Sequence, residues 1–106
     1  MIEELRQSQR KPLKVKALLA MDGQPPVAGR TLDINANGVC VAQEQPCQVG
    51  RAGTIKFDIF YDGKPNSITA KVKVAYCIFS SGEFKLGLTF VNLDLNAMSV
   101  VAKYLK

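Results

Sequence analysis

The sequence contains no histidine and no tryptophan, and its three cysteines, Cys40, Cys47 and Cys77, are scattered along the chain. Histidine is the side chain best suited to proton transfer near neutral pH, so its absence argues against general acid–base catalysis. A zinc site would also lack its usual histidines and a Cys-x-x-Cys pair, and an odd cysteine count argues against a disulfide framework. We therefore expect no enzyme activity, no catalytic residues, no metal and no cofactor.

Long hydrophobic segments are missing as well. No run approaches the roughly 20 apolar residues that a membrane-spanning helix needs. Glu3 and Glu4 stand where a secretory signal would place its apolar stretch. We therefore predict a cytoplasmic protein that does not insert into a membrane.

Negative charge is scarce relative to positive charge, because 14 Lys and Arg against 9 Asp and Glu give a net charge of +5. A surface with this balance favours anionic ligands such as phosphate compounds. Solubility alone is the alternative explanation of the charge. The 106 residues leave room for one domain with one core.

What dominates the chain is alternation of apolar and polar residues with a period of two, which is typical of strands with one face on a core. We predict six strands, over residues 14–21, 28–34, 38–42, 55–61, 67–79 and 84–90. In the longest strand we predict that the even positions face the core, namely Ile68, Ala70, Val72, Val74, Tyr76 and Ile78. Gly87 indicates a bulge or a close approach in the last strand. The pattern predicts an all-β fold, a six-stranded antiparallel β-barrel over residues 14–106 that ends in a C-terminal α-helix.

The helical prediction rests on a change of period in the last dozen residues. Asp94 is suited to cap a helix, and Met98, Val101, Ala102 and Leu105 would form its apolar stripe. A helix this short needs a surface to dock on. We expect the stripe to cover an open end of the barrel, with pairing to a partner's helix as the alternative.

The first motif suited to ligand binding is Arg6-Gln-Ser-Gln-Arg10. It lies in a polar segment, residues 1–13, that we predict to be a flexible N-terminal arm. An arginine side chain can bind phosphate or the O6 and N7 edge of guanine through two donors, and it can stack on a base. An arginine pair with this spacing is common by chance, so it carries weight only in combination with a second motif.

The second motif is Asp33-Ile34-Asn35-Ala36-Asn37-Gly38. Asp33 is a pure acceptor, suited to the N1 and N2 donors of guanine, and Asn35 can donate to phosphate or accept from the base. We predict that Gly38 adopts the positive φ of a type I′ turn and lets a ligand approach the backbone.

With both motifs in this order, the sequence resembles the PilZ domain family, whose pattern is RxxxR followed about two dozen residues later by [D/N]xSxxG. The resemblance implies a receptor or adaptor for cyclic di-GMP that changes conformation on binding and relays the change to a downstream protein partner. It implies that the nucleotide lies on the outside of the barrel with the arm folded over it. The implied ligand-binding residues are Arg6, Arg10, Asp33, Asn35 and Gly38.

Two further positions qualify the resemblance. Asn35 stands where the family usually has serine, and a longer side chain there would lower affinity or tilt the ligand. Leu5 stands where an additional arginine, in the family, accompanies an intercalated ligand dimer, so the resemblance implies a single ligand molecule. Residues 84–94 resemble the family's closing strand and the start of its terminal helix.

Two alternatives remain open. The first is a degenerate PilZ-like module that works through protein contacts without binding the nucleotide, an alternative that Asn35 supports. The second is a basic barrel that binds single-stranded nucleic acid, which requires aromatic side chains on an exposed face. Most aromatic residues here occupy the same alternating positions as the apolar residues of their strands, which are predicted to face the core. We therefore expect no DNA or RNA partner.

Overall fold

The computed structural model describes residues 10–106, which form an antiparallel β-barrel followed by one helix. The elements are β1 (Lys11–Pro12), β2 (Lys16–Met21), β3 (Val27–Ile34), β4 (Gly38–Gln43), β5 (Ala52–Tyr61), β6 (Lys64–Ser80), β7 (Glu83–Asn92) and α1 (Leu95–Leu105). Neighbouring strands follow the order β1-β3-β2-β5-β6-β7-β4, and β4 pairs with β3 to close the barrel. The predicted six-stranded barrel with a C-terminal helix is confirmed. The short strand β1, paired with the end of β3, is an addition to it.

The core is formed by the inward side chains of the barrel strands. The largest of the fully buried ones are Leu19, Ile34, Ile55, Ile59, Ile68 and Leu86. Burying a side chain of this kind contributes about 1.5–3 kcal/mol, which makes this face the main source of stability. The buried hydroxyl of Thr31 donates to the carbonyl of Leu13 and accepts from the Val15 N–H at 3.0 Å, so it fastens the segment before β2 to β3.

In strand β6, the even-numbered side chains do not face the same side of the sheet over its whole length. Its register with β7 shifts between Val74 and Tyr76, which leaves Ala75 as an extra residue. Past such a bulge the faces of a strand are exchanged. Cys77 therefore packs against the core, whereas Ile78 is 53% exposed and Tyr76 lies on the outer face. The prediction that Tyr76 and Ile78 face the core is wrong for this reason.

Two hairpins of the barrel are closed by left-handed turns. Asp62 and Gly63, with φ of 58° and 77°, join β5 to β6, and Ser81 and Gly82, with φ of 55° and 80°, join β6 to β7. Positive φ at both central residues is the signature of the type I′ turn, whose twist matches that of the paired strands. Both turns fall between predicted strands, the first between 55–61 and 67–79 and the second between 67–79 and 84–90.

The helix α1 begins as predicted, because the carboxylate of Asp94 accepts a hydrogen bond from the Ala97 N–H at 2.7 Å. Docking of the helix on its own barrel is also confirmed, since it packs against β5 and β6. Within residues 10–106, no helix combines the length and the apolar character that crossing a membrane requires.

The face that α1 buries matches the predicted stripe only in part, since Val101 is buried and Leu105 is partly buried against the core. Ala97 and Val101 are buried, whereas Met98 and Ala102 are exposed. Ala97 and Val101 lie four residues apart and therefore on one side of the helix, and this side faces the barrel. Tyr104, one turn after Val101, continues the buried face.

Candidate nucleotide-binding site

A cavity of about 170 Å³ lies on the outer side of the barrel, between the ends of β3 and β4 and the middle of β6 and β7. Four of the five predicted ligand-binding residues line it, namely Arg10, Asp33, Asn35 and Gly38. The fifth, Arg6, lies outside the described residues, as does Leu5. The fold thus brings the second arginine of the first motif together with four residues of the second, since Asn37 lines the cavity as well.

Asp33 is positioned by an irregularity in the β3–β4 ladder. The register shifts between Thr31 and Asp33, and beyond the shift Asp33 pairs with Cys40. Bulges of this kind often re-aim a side chain next to a binding site. The carboxylate of Asp33 is 31% exposed, so a ligand in the cavity can reach it.

Arg10 approaches the same carboxylate from the residue before β1. Its Nη1 lies 3.8 Å from Asp33 Oδ2, and its side chain is 56% exposed. A single ion pair of this length in contact with solvent contributes about 0–1 kcal/mol, so it is easily exchanged. The backbone next to Arg10 is held more firmly, because Lys11 and Pro12 pair with Ile34 and Asp33.

The turn between β3 and β4 is organised by the side chain of Asn35. Its Oδ1 accepts hydrogen bonds from the N–H groups of Asn37 and Gly38, at 2.8 and 2.9 Å. The Asn35 N–H donates to the Gly38 carbonyl at 2.9 Å. The Asn35 side-chain oxygen thus takes the place of its backbone carbonyl as acceptor for the Gly38 N–H, while the opposite backbone bond of the hairpin is kept. The φ of Gly38 is not positive, so the prediction of a type I′ turn is wrong.

Gly38 is required for a different reason, which is a close approach to β7. A Cβ atom at this position would overlap the carbonyl oxygen of Leu88. The turn is tied to the same strand by the Phe90 N–H, which donates to the Asn37 carbonyl at 2.8 Å. The turn between β3 and β4 is therefore held against β7 rather than projecting freely.

Tyr76 also lines the cavity, a position that the alternation of residues along the strand did not predict. Its ring covers Gly87 so closely that a Cβ there would overlap it, which confirms the prediction of a close approach at Gly87. The Tyr76 hydroxyl lies 3.6 Å from Cys40 Sγ. The hydrogen-bonding contact with Cys40, together with burial, raises the pKa of Tyr76 above its usual value, while the nearby charge of Arg10 acts in the opposite direction. The glycine was the only sequence signal for this ring.

The segment next to Arg10 is also joined to the C-terminal helix. Lys11 Nζ donates to the Tyr104 carbonyl at 2.8 Å, and it lies 4.5 Å from the centre of the Tyr104 ring. The Tyr104 hydroxyl donates to the Pro12 carbonyl at 2.6 Å. The two residues that follow Arg10 in the chain are thus both in contact with α1.

A closed antiparallel barrel that carries an arginine, a carboxylate and a side-chain-capped turn on its outer surface defines a small ligand-binding module. The family model for the PilZ domain matches residues 4–106, and the chain belongs to the PilZ family. Among curated proteins, no sequence matches this chain.

Solved structures show the same fold at low sequence identity. The inhibitor of motility MotI/DgrA from Bacillus subtilis has a TM-score of 0.81 and 14% identity, and the match covers 93% of this chain and 48% of that protein. The PilZ domain of YcgR from Escherichia coli, with c-di-GMP, has a TM-score of 0.71 and 13% identity, with coverage of 94% and 88%. The PilZ domain of CeSA from a cellulose-synthesizing bacterium has a TM-score of 0.60 and 20% identity, with coverage of 92% and 95%. This chain thus spans about half the length of the first of these proteins.

Proposed function

We propose that this PilZ protein is a non-catalytic receptor for cyclic di-GMP that changes its conformation and its contacts with a protein partner when the nucleotide binds. The observation that carries the proposal is that Arg10, Asp33, Asn35 and Gly38 line one cavity. The PilZ domain of YcgR from Escherichia coli, whose structure contains c-di-GMP, supports the choice of ligand. The expected location is the cytoplasm.

The chemistry of the cavity suits guanine better than phosphate alone. Asp33 can accept from guanine N1 and N2, and Arg10 can donate to O6 and N7 or to a phosphate. Because the contact between Arg10 and Asp33 is loose, at 3.8 Å, a ligand can replace it at little cost.

The size of the cavity agrees with a ligand that lies mostly on the outer surface. At about 170 Å³ it is smaller than the roughly 300–1,000 Å³ of pockets that enclose a whole small molecule. It has room for part of the dinucleotide, with Tyr76 beside it as an aromatic wall. In this proposal Arg6 supplies the second guanidinium from the arm, residues 1–13, and a single ligand molecule binds.

The hydrogen bonds of Asn35 favour nucleotide binding over the degenerate alternative. Its Oδ1 is already occupied by the turn, and the Nδ2 amide group is left to donate to a phosphate oxygen. A serine hydroxyl at this position would likewise combine an acceptor with a donor. The replacement of serine by asparagine therefore preserves the types of contact that the site needs.

The proposed conformational change starts at Arg10 and reaches the helix α1. A ligand that draws Arg10 away from Asp33 would pull on Lys11 and Pro12, which hold Tyr104 through two hydrogen bonds. An altered position of α1 or of the arm is what a partner would recognise. The division of the chain into an arm and a barrel at residue 13 stays a prediction.

Isothermal titration calorimetry of the purified protein with cyclic di-GMP tests the receptor function, with GTP as the nucleotide control. We expect saturable binding near micromolar or tighter with one ligand per chain, and no heat with GTP. The Arg10→Ala variant should bind about one to two decades more weakly, because charge-assisted hydrogen bonds worth roughly 1.5–3 kcal/mol each are lost.

The matched control is Arg51→Ala, which removes an exposed arginine outside the cavity. It should leave the affinity unchanged. An equal loss in both variants would mean that only overall charge matters, and the proposed contact of Arg10 with the nucleotide would be wrong. Absence of heat and of thermal stabilisation with the parent protein would favour the degenerate module instead.

A further inference from the structure

A second concave surface lies on the outer face of β2, β3 and β5, and it shares no lining residue with the nucleotide cavity. This groove has a volume of about 910 Å³. Its apolar part contains Leu18, which is 46% exposed, and Phe60, which is 61% exposed, with Ala28 opposite Leu18 on the neighbouring strand. Large apolar side chains at this degree of exposure, gathered in one groove, mark a surface that another molecule covers.

The charged side chains of the groove are mostly basic. Lys56 is the cross-strand neighbour of Leu18, and Lys16 is paired with Arg30. Among the described residues, no carboxylate lies within salt-bridge distance of Lys16 or Lys56.

The two other charged groups of the groove already have partners. Arg30 is bound by the carboxylate of Glu83 at 2.7 Å. Asp58, the one acidic residue that lines the groove, accepts a hydrogen bond from the Ser67 hydroxyl at 2.9 Å. A hydroxyl does not neutralise a carboxylate, so Asp58 keeps its charge, but the two lysine ammonium groups outnumber it and leave the groove with a net positive charge that favours an anionic occupant.

From this combination we infer that the groove binds an acidic segment of a partner protein that inserts an apolar side chain between Lys16 and Lys56. Apolar contact with Leu18 and Phe60 supplies most of the affinity, and carboxylates of the segment pair with the two lysines. Such complementarity raises the association rate and excludes basic partners.

A nucleic acid fits the same surface less well. Binding of single strands depends on a series of aromatic faces on which bases stack, whereas Phe60 is the only exposed aromatic side chain in the lining of this groove. The aliphatic side chains of Leu18 and Ala28 offer contact to an apolar residue and no stacking surface.

The test uses a display library of random 12-residue peptides selected on the full protein without nucleotide. We expect enriched sequences that combine Asp and Glu with aromatic or aliphatic residues. The double variant Lys16→Glu, Lys56→Glu should bind a selected peptide at least tenfold more weakly. The control Lys64→Glu, Lys103→Glu changes the net charge equally at exposed sites outside the groove and should lose no more than about threefold.

The apolar contribution is tested by a second variant, Leu18→Ser with Phe60→Ser. This variant should bind the same peptide at least tenfold more weakly, while its affinity for cyclic di-GMP stays unchanged. That result would separate this surface from the nucleotide site. When the selected peptide is added to the parent protein, the amide signals that shift in NMR spectra should belong to residues of β2 and β5.

Four outcomes would overturn the inference. These are the absence of enriched peptides, enrichment of basic ones, equal losses in the two lysine variants, and shifts that map elsewhere. A 12-nucleotide oligouridylate or phosphatidylserine vesicles that bind through Lys16 and Lys56 more tightly than any selected peptide would assign the groove to that ligand instead.

Discussion

Two arginine–carboxylate pairs involve β3, and they are held very differently. Arg30 and Glu83 are joined by two hydrogen bonds of 3.0 and 2.7 Å. Arg10 and Asp33 share one contact of 3.8 Å. A bidentate pair fixes the geometry of both side chains, whereas a single long contact leaves donors and acceptors available. The first pair therefore fastens the β6–β7 hairpin to β3, and the second leaves its donors and acceptors available.

The turns beside these pairs differ in the same way. Glu83 follows a two-residue turn at Ser81 and Gly82 that depends only on left-handed backbone. Asp33 precedes a turn that depends on hydrogen bonds from the Asn35 side chain and on contact with β7. The turn beside the candidate site is thus specified by side-chain hydrogen bonds and packing, whereas the turn beside Glu83 is specified by local backbone conformation.

The largest expected effect separates the two carboxylates. The substitution Asp33→Ala should weaken cyclic di-GMP binding by about two decades or more, because two hydrogen bonds from guanine to a charged acceptor are lost, each worth roughly 1.5–3 kcal/mol. Glu83→Ala should change the affinity by less than about threefold. Calorimetric titration of both variants measures the difference, and equal affinities would contradict the assignment of Asp33 to the site.

The second prediction compares the glycines of the two turns. Gly38→Ala should lower the free energy of unfolding by about 2–3 kcal/mol, because the new methyl group would overlap the backbone of Leu88. Gly82→Ala should cost about 1 kcal/mol, since it adds strain at positive φ but meets no atom within 4 Å. Urea unfolding measures both values. A larger loss for Gly82→Ala would mean that the approach to β7 relaxes easily.

The third prediction separates the two roles of Asn35. Asn35→Ala removes the acceptor of two backbone N–H groups and should destabilise the protein by about 1 kcal/mol. Asn35→Asp keeps that acceptor and should retain the stability in urea. It should nevertheless bind cyclic di-GMP more weakly, because a carboxylate cannot donate to phosphate. If Asn35→Asp bound as tightly as the parent, the amide would have no role as a donor to the ligand.

The smallest effect concerns the pH dependence of the tight pair. The hydrogen bond from Arg30 lowers the pKa of the Glu83 carboxyl below its usual value. Because the folded-state pKa is depressed, this contribution to stability is present above the unfolded-state pKa and is lost as the pH falls through the folded-state value. In an NMR titration, Arg30→Gln should raise the midpoint of the Glu83 carboxyl, and Arg10→Gln should leave it in place. An unchanged midpoint in both variants would contradict a bidentate Arg30–Glu83 pair in solution.

The strands were predictable because their signal is local. Alternation along a strand and the Asp62-Gly63 turn depend on neighbouring residues, so the barrel strands and the β5–β6 hairpin could be identified from the sequence. The strand ends were less certain. β6 begins at Lys64, three residues before the predicted start, because it pairs with β5 as far as the turn.

The candidate site was predictable only in part. Arg10, Asp33, Asn35 and Gly38 were identified from two motifs, and they line one cavity. Tyr76 was assigned to the core because the bulge at Ala75 has no local signature. The same limit explains the helix, where the burial of Ala97 in place of Met98 depends on the shape of the barrel surface.

The sequence by itself determined the all-β class, the order of the strands along the chain, the helix cap at Asp94 and the motifs of the PilZ family. These features depend on residues close together in the chain, whose preferences do not require a partner. Only the tertiary structure decided that Tyr76 faces outward over Gly87, that Gly38 serves a close approach, and that β1 connects Arg10 to the helix. Each of these depends on contacts between distant segments, where packing overrides local preference.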